Sequence, residues 1–513
     1  MGILLSLTSA LLLIFSFPRF DLEFLAWIAL VPLFLALKDK GLKSSFVLSF
    51  LTGIISSMGI FYWINVVKGF TLVDFVLLGI YLGSYFGLFG LLFNFLLRKD
   101  LPSFVVAPVL WVSFEYLRSH AGFIGLPWAL LGHSQYLNTP LIQIASLTGV
   151  YGVSFLIVMF NAALSEVVSY VLPKRKKDLV KKKPAQFVPV LISLLLIGLS
   201  FVYGISVMSE NTGADQVSVT VIQGNIPQDI KWNAAFRKSI IKTHVRLTES
   251  ASINDHASLI VWPESSVPGS FTQDIYAMQT ISNLAKKTNA YILTGSSQRP
   301  KFGSGELREE YSFNRASLIT PNGIIARHYD KVRLLPFAEY LPYKDSFPWP
   351  ARFVSMAGNT IPGKEYTIFD LNGAKFGVLI CWENIFPELV RKFVEDSANF
   401  VVNMTNEAWF GETAAPYQFL AMSVFRAVEN HVTVVRSANT GISCFIDPHG
   451  EIIGRVNNNN KDIFVEGYLT MAIPLSFKKT IYTLYGDVFV YINLVMTVLM
   501  VVLSAFKTED SRI

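Results

Sequence analysis

Three residues that could together carry out acyl transfer come directly after β-rich stretches of the sequence. Glu264 follows an apolar run in LIVWPES, Lys331 stands at the end of the second strand of a predicted hairpin in HYDKV, and Cys381 ends an apolar run in GVLICWEN. A thiolate can attack a carbonyl carbon, a carboxylate can take the thiol proton and later return it, and an ammonium can stabilise the oxyanion that forms. The three residue types therefore suffice for acyl transfer through a thioester.

The cysteine needs the closest scrutiny, because a buried thiol is usually inert packing. Cys381 stands where a strand gives way to a predicted helix, whose N-terminus would stabilise a thiolate. Cys444, in GISCFIDPHG, lies inside a β run with no acid or base beside it, and we interpret it as a core residue. Two cysteines are too few for a disulfide framework or a metal cluster, although a single bridge between them stays open.

The stretch from about Gln216 to Leu475 has the pattern of an α/β domain. Short β-rich runs such as VSVTVIQ, ASLIVW, FGVLIC and NFVVNMT alternate with stretches of helical character. The dipeptide Asn322-Gly323, between two further β runs, predicts a hairpin turn. Ligands gather at the carboxyl ends of strands in α/β sheets, so the position of all three candidate residues at strand ends favours a catalytic role.

The rest of the chain has the composition of a membrane protein. Of the 513 residues, 52% are hydrophobic and 16% are charged, and the formal net charge is +6. The densest basic run, KRKKDLVKKK (Lys174–Lys183), lies between two apolar segments, where a cytoplasmic membrane loop would carry it. This distribution of charge argues against nucleic-acid binding.

Apolar segments predict about eight transmembrane helices, although three segments are shorter than the roughly 20 residues that a span needs. The segments are Ile3–Phe17, Phe24–Leu37, Ser45–Val67, Phe75–Leu97, Phe104–Leu117, Ser146–Val171, Phe187–Met208 and Val488–Phe506. Lysine and arginine follow the second, fourth, sixth and last segments, and cytoplasmic connections are the ones that carry such basic residues. This pattern predicts that both termini lie in the cytoplasm. It also predicts that the stretch after the seventh segment lies on the periplasmic face of a bacterial inner membrane. The predicted domains are a transmembrane domain of about seven helices over 1–210, a soluble domain over 214–475 and a last helix over 485–506.

At its strand ends the sequence resembles the nitrilase, or carbon–nitrogen hydrolase, superfamily, whose catalytic residues are Glu, Lys and Cys in that chain order. WPES carries Glu264, DKVRLLPFAEYLP carries Lys331, and CWEN carries Cys381. The resemblance implies an α-β-β-α sandwich for the soluble domain. It also implies that Glu339 is the second glutamate of that superfamily, which helps to hold the lysine.

Over nearly its full length the chain is similar to the apolipoprotein N-acyltransferase family, in which about eight membrane helices accompany a periplasmic nitrilase-like domain. This similarity implies that Cys381 takes an acyl chain from a membrane phospholipid and passes it to the N-terminal amino group of a diacylglyceryl-cysteine in an apolipoprotein. Glu264 would be the base and acid, and Lys331 would stabilise the oxyanion. The substrate-binding candidates are Trp232, Trp382 and Glu383. We expect a monomer that needs no metal or organic cofactor.

Two other functions are compatible with these residues. A membrane-tethered amidase or nitrilase would pass the acyl group to water, and a binding module on a membrane anchor would carry out no reaction. A hydrolase of a small soluble amide needs at most one span, whereas about eight predicted spans suggest that the substrates themselves lie in lipid. The sequence therefore favours the N-acyltransferase, with the amidase as the alternative.

Overall fold

The computed structural model describes residues 1–171, 184–210, 215–299 and 311–506. The chain forms two compact units, one of Met1–Glu210 together with Tyr485–Ile513 and one of Asn211–Leu484. The predicted orientation rests partly on basic residues outside the described ranges, namely Lys174–Lys183, Lys507 and Arg512.

The first unit is built from apolar helices. Among the described residues, five helices are long and apolar enough to cross a membrane: Leu42–Ile60, Leu72–Leu97, Val150–Val171, Val188–Met208 and Val488–Phe506. Shorter helices lie at Gly2–Phe15, Ala26–Ala29, Val31–Leu37, Ser103–Ser119, Thr139–Ile142 and Ala145–Thr148. All the predicted apolar segments are thus helical, but three of them form short or divided helices, so the number of about eight spans stays a prediction.

Glycines allow two neighbouring long helices of this unit to pack closely. On helix Leu72–Leu97, a methyl group added at Gly83 would lie 2.7 Å from Cγ1 of Ile54, and one at Gly90 would lie 2.0 Å from Oγ of Ser49. Inside lipid the hydrophobic effect does not drive helices together, so association depends on close packing through such small residues.

The second unit contains two six-stranded sheets in the residues that the structure describes. In chain order the strands are β1 Gln216–Gln223, β2 Leu259–Val261, β3 Tyr291–Gln298, β4 Phe313–Ile319, β5 Ile325–Asp330, β6 Phe369–Leu371, β7 Ala374–Ile380, β8 Phe400–Thr405, β9 Thr433–Ala438, β10 Cys444–Ile446, β11 Ile452–Arg455 and β12 Gly467–Pro474. The first sheet has the order β12-β1-β2-β3-β4-β5, and the second has the order β11-β10-β9-β8-β7-β6.

Each sheet has parallel strands at its centre and antiparallel strands beside them. Strands β1, β2 and β3 are parallel, as are β7, β8 and β9. Every residue of β8 is buried, which explains why its sequence, FVVNMT, does not alternate between apolar and polar residues. The predicted hairpin turn is confirmed between β4 and β5, where Gly323 has a φ of 76° and its N–H donates to the carbonyl of Thr320 at 2.8 Å.

Helices cover the outer face of each sheet, and the inner faces meet. The hydroxyl of Ser437 on β9 donates to the main-chain oxygens of Ile222 and Val261 in the opposite sheet, both at 3.0 Å. The helices are Arg237–Asn254 and Ile275–Thr288 on the first sheet and Pro387–Glu395 and Ala415–Asn430 on the second, with short helices at Gln228–Lys231, Ala351–Met356 and Ile481–Tyr485. This arrangement is an α-β-β-α sandwich, and it confirms the predicted fold class of the soluble domain.

Candidate active site

Cys381 follows strand β7 directly and has a strained backbone. Its φ is 57°, a left-handed value that residues other than glycine adopt only at a cost. The sequence predicted a helix that begins at the thiol, but a 3₁₀ turn of five residues spans Cys381–Ile385, and the α-helix begins only at Pro387. Since a single short turn provides little helix dipole, stabilisation of a thiolate depends on the neighbouring side chains.

Burial and the neighbouring charges keep the thiol of Cys381 neutral at rest. Burial raises the pKa of Cys381, the charge of Glu264 raises it further, and the ammonium of Lys331 offsets only part of the increase. The thiol is therefore protonated at neutral pH, and it needs a base at the moment of attack.

Lys331 comes directly after β5 and pairs with Glu339. Its Nζ lies 2.8 Å from Oε2 and 3.0 Å from Oε1 of Glu339, and the main-chain N–H of Leu335 donates to Oε2 at 2.7 Å. Burial by itself would lower the pKa of Lys331, but the negative charges of Glu339, Cys381 and Glu264 outweigh it and raise that pKa. The lysine is therefore a fixed ammonium beside the thiol.

Glu264 comes three residues after β2, and Asn314 connects it to the Lys331–Glu339 pair. Nδ2 of Asn314 donates to Oε1 of Glu264 at 2.8 Å and to Oε1 of Glu339 at 3.1 Å. The main-chain carbonyl of Asn314 accepts the N–H of Lys331 at 2.9 Å. One residue of β4 thus holds both glutamates and the lysine, so the three predicted catalytic residues and Glu339 lie in one network around the thiol.

Glu383 connects the chain after β5 to the end of β7. Its Oε1 accepts hydrogen bonds from the hydroxyl of Tyr329 at 2.9 Å and from the N–H groups of Val332 and Arg333 at 2.8 and 2.9 Å. Its Oε2 accepts the N–H of Ile380 at 2.8 Å. Burial raises the pKa of this carboxyl to about 7, against these hydrogen bonds. Both oxygens are occupied and the residue is fully buried, which suits a group that fixes the positions of Lys331 and Cys381.

The two predicted tryptophans differ in exposure. Trp382 is buried, its Nε1 donates to the carbonyl of Arg333 at 2.6 Å, and its ring packs edge-on against Phe386. Trp232 is 52% exposed. Of the two, Trp232 therefore offers the larger surface for contact with a substrate.

A buried polar network holds the main-chain carbonyl of Cys381. Nδ2 of Asn403 on β8 donates to that carbonyl at 3.2 Å, and Oδ1 of Asn403 accepts from Arg436 at 2.9 Å. Arg436 in turn pairs with Glu407 at 2.5 Å, and both side chains are fully buried. Burial raises the pKa of Glu407 to about 7, although Arg436 opposes the increase. Such a network, once fully formed, fixes the backbone that carries the thiol.

Asn314 and Lys231 contact the predicted catalytic residues directly and were not predicted from the sequence. The supporting residues Tyr329, Arg436 and Glu407 were not predicted either. Asparagine is disfavoured in strands, so its presence in the β run SFNRASLI is a local signal that could have found Asn314. Lys231 precedes Trp232 in GNIPQDIKW, and its Nζ donates to the main-chain oxygen of Glu264 at 2.9 Å. Nothing in the local sequence predicts that this lysine is buried.

Cys444 lies apart from this chemistry. It is fully buried at the start of β10, between β9 and β11, and both cysteines are free thiols. Burial raises its pKa to about 11, while the charges of Arg436 and Arg455 lower it. A neutral, inaccessible thiol fits the predicted core role.

Comparison with known proteins identifies the family. The family model of the apolipoprotein N-acyltransferase N-terminal domain matches residues 9–163, and that of carbon-nitrogen hydrolase matches residues 218–476. An apolipoprotein N-acyltransferase of Geobacter metallireducens is 36% identical over 499 residues, which are 95% of this chain and 92% of the relative. One of Bradyrhizobium diazoefficiens is 32% identical over 76% of this chain and 71% of the relative.

A solved structure was also found, of an amidase from Nesterenkonia sp., with 19% sequence identity and a TM-score of 0.39 over 54% of this chain and 96% of that one. The identification rests on the sequence matches, which extend over both units of the chain and nearly the whole length of the first relative. The chain belongs to the apolipoprotein N-acyltransferase family.

Proposed function

We propose that this protein transfers an acyl chain from a membrane phospholipid to the N-terminal amino group of a diacylglyceryl-cysteine in an apolipoprotein, through a thioester on Cys381. The observation that carries the proposal is the combination, in one chain, of long apolar helices with a thiol surrounded by Glu264, Lys331 and Glu339. The near full-length similarity to relatives named apolipoprotein N-acyltransferase supports the same assignment.

In the first half-reaction, Glu264 takes the proton of Cys381 as Sγ attacks an ester carbonyl of the phospholipid. Lys331 stabilises the oxyanion of the tetrahedral intermediate. When the intermediate collapses, the bond from the carbonyl carbon to the glycerol oxygen breaks, and Glu264 returns the proton to that oxygen. The products are a lysophospholipid and an acyl thioester on Cys381.

In the second half-reaction, the neutral amine of the acceptor attacks the thioester carbonyl. Lys331 again stabilises the oxyanion, and Glu264 accepts a proton from the amine nitrogen. The C–S bond then breaks, and the proton passes to Sγ of Cys381. The enzyme returns to its starting state, and the acceptor carries a new amide.

The supporting residues act through Cys381, Glu264 and Lys331. Glu339 fixes the ammonium of Lys331. Glu383 accepts the main-chain N–H groups of Val332 and Ile380, which adjoin Lys331 and Cys381, so we propose positioning roles for both glutamates. Trp382 supports the loop at Arg333. Trp232 keeps the proposed role of substrate contact because half of its surface is exposed.

A two-step assay separates the transferase from the amidase alternative. Purified protein incubated with phospholipid should gain the mass of one acyl group on the peptide that contains Cys381, and this thioester should persist in water. A diacylglyceryl peptide with a free N-terminus should then discharge it and gain the acyl group, whereas the same peptide with an acetylated N-terminus should not. Rapid hydrolysis that is indifferent to the peptide amine would refute the transferase and favour the hydrolytic alternative.

We also propose that the second unit lies on the periplasmic side of the bacterial inner membrane, because the basic connections of the sequence alternate with poorly charged ones. In a variant without Cys381 and Cys444, a cysteine at the exposed Asn322 should react with a membrane-impermeant maleimide in cells whose outer membrane alone has been opened. A cysteine at Lys40, in a predicted cytoplasmic connection, should react only after the inner membrane is disrupted. The reverse pattern of labelling would exclude this orientation.

A further inference from the structure

Lys231 is a buried cation beside the proposed base. It ends the short helix Gln228–Lys231, which follows β1, and only 1% of its surface is exposed. Its Nζ donates to the main-chain oxygen of Glu264 at 2.9 Å. In the part of the chain that the structure describes, no carboxylate forms an ion pair with this ammonium. An ammonium is costly to bury without a partner of opposite charge, so simple packing does not explain a lysine at this position.

The groups around Lys231 belong to the proposed site. Burial lowers the pKa of Lys231 to about 8, and the negative charge of Glu264 opposes that decrease. Burial lowers the pKa of His244, on the helix Arg237–Asn254, to about 4, and the charge of Lys231 contributes to this decrease. His244 is therefore neutral near pH 7. Asp229, on the same short helix as Lys231, is exposed to solvent.

We propose that Lys231 is a positioning residue of the acyl-transfer site, which holds Glu264 through its main-chain carbonyl, keeps the side chain of Glu264 ionised before it takes the proton, and favours the negative charge that develops on the sulfur of Cys381. The inference rests on the proposed roles of those two residues. Lys331 and Lys231 then have separate tasks. Lys331 is fixed by Glu339 and stabilises the oxyanion, whereas Lys231 supports the group that moves the proton.

The proposal has a signature in the pH dependence of acylation. The pKa of Lys231 is near 8, so its charge is present below that pH and is lost above it. The pKa values of Cys381 and Lys331 are both raised, so neither group accounts for a change between about pH 7 and 9. The rate of acylation should therefore fall as pH rises through about 8. An arginine at this position stays charged and should remove that fall.

The test measures single-turnover acylation of Cys381 by dipalmitoyl phosphatidylglycerol in detergent micelles, between about pH 6 and 9, in wild type, Lys231→Met and Lys231→Arg. Lys231→Met should lose roughly tenfold or more at neutral pH, within the range known for a lost electrostatic contact, and should show no fall near pH 8. Lys231→Arg should keep most of the rate and extend it to higher pH. Lys242→Met, at an exposed lysine of the neighbouring helix, should match wild type.

A second readout requires no lipid. In a Cys444→Ala background, the rate at which iodoacetamide alkylates Cys381 below about pH 8 reports the thiolate fraction while Lys231 is still charged. Lys231→Met should lower this rate, because a positive charge that favours the thiolate has been removed. Unchanged acylation and an unchanged alkylation rate in a folded Lys231→Met protein would overturn the inference. If that variant does not fold, a Lys231→Arg protein that retains the wild-type fall near pH 8 would overturn it. A wild type that is never acylated, but whose alkylation depends on Lys231, would refute the proposed function rather than this inference.

Discussion

Replacement of Cys381 by alanine is expected to abolish acylation of the protein by phospholipid, whereas replacement of Cys444 by alanine should leave it intact. Loss of a catalytic nucleophile commonly costs on the order of 10⁶-fold, which would reduce the thioester below detection. The expected contrast has a structural cause. Cys381 has Glu264 and Lys331 as charged neighbours, but Cys444 is fully buried between two strands.

Intact-protein mass spectrometry, followed by identification of the acylated peptide, measures this difference. Thermal unfolding of both variants shows whether a lost adduct reflects chemistry or folding. Alanine relieves no backbone strain at position 381, because it too disfavours a φ of 57°, so the Cys381→Ala protein should unfold near the wild-type temperature. An adduct that persists in Cys381→Ala and disappears in a folded Cys444→Ala protein would assign the nucleophile to Cys444.

The sequence was sufficient to locate the candidate catalytic residues because each follows a strand. Strands end at Val261, Asp330 and Ile380, and the next few residues carry the carboxylate, the ammonium and the thiol. The strands before Glu264 and Cys381 are buried parallel strands and are marked by apolar runs. The strand before Lys331 is a partly exposed antiparallel strand and is marked by the hairpin turn that precedes it. The hairpin turn at Asn322-Gly323 was predictable for a similar reason, since its signal is local.

The residues that hold this site could not be found in the same way, because their partners are distant in the chain. Lys231 contacts the carbonyl of a residue 33 positions away, and Asn314 contacts a carboxylate 50 positions away. Glu383, two residues after the thiol, was predicted to bind substrate. Its burial is a property of the tertiary structure, which brings residues 50 and 51 positions away onto one of its oxygens.

The helical anchor shows a similar limit. The composition of the sequence identified every apolar segment. It did not predict where a helix is interrupted within a segment, and these interruptions determine helix length. Segment Phe24–Leu37 contains Pro32, and its helices Ala26–Ala29 and Val31–Leu37 are separated at Leu30. Leu30 donates its N–H to Asn161 Oδ1 at 2.8 Å, so a polar side chain from another helix satisfies the backbone at the break.

Glu264→Gln and Lys331→Met are expected to slow acyl transfer strongly, and for different reasons. Glutamine keeps the shape of Glu264 and can still accept the hydrogen bond from Asn314, but it cannot take the thiol proton. Since burial raises the pKa of Cys381, the thiol then stays protonated, and acylation should fall by about 10²–10⁴-fold, the usual contribution of a general base. Lys331→Met removes the charge that faces the oxyanion, a contribution of about 10²–10³-fold or more.

The acylation rate at high pH, where Cys381 is already ionised, distinguishes the two variants. At high pH the free thiolate of Cys381 no longer needs a base, so the acylation rate of Glu264→Gln should rise with pH towards that of wild type. Lys331→Met should not recover, because the oxyanion still lacks its cation and because loss of that cation raises the pKa of Cys381 further. Glu249→Gln, at a partly exposed residue that pairs with Lys287, and Lys375→Met, at an exposed one, serve as matched controls and should retain wild-type rates. Recovery of Lys331→Met at high pH, with none in Glu264→Gln, would show that the lysine rather than the glutamate controls the proton, and the roles assigned to these two residues would have to be exchanged.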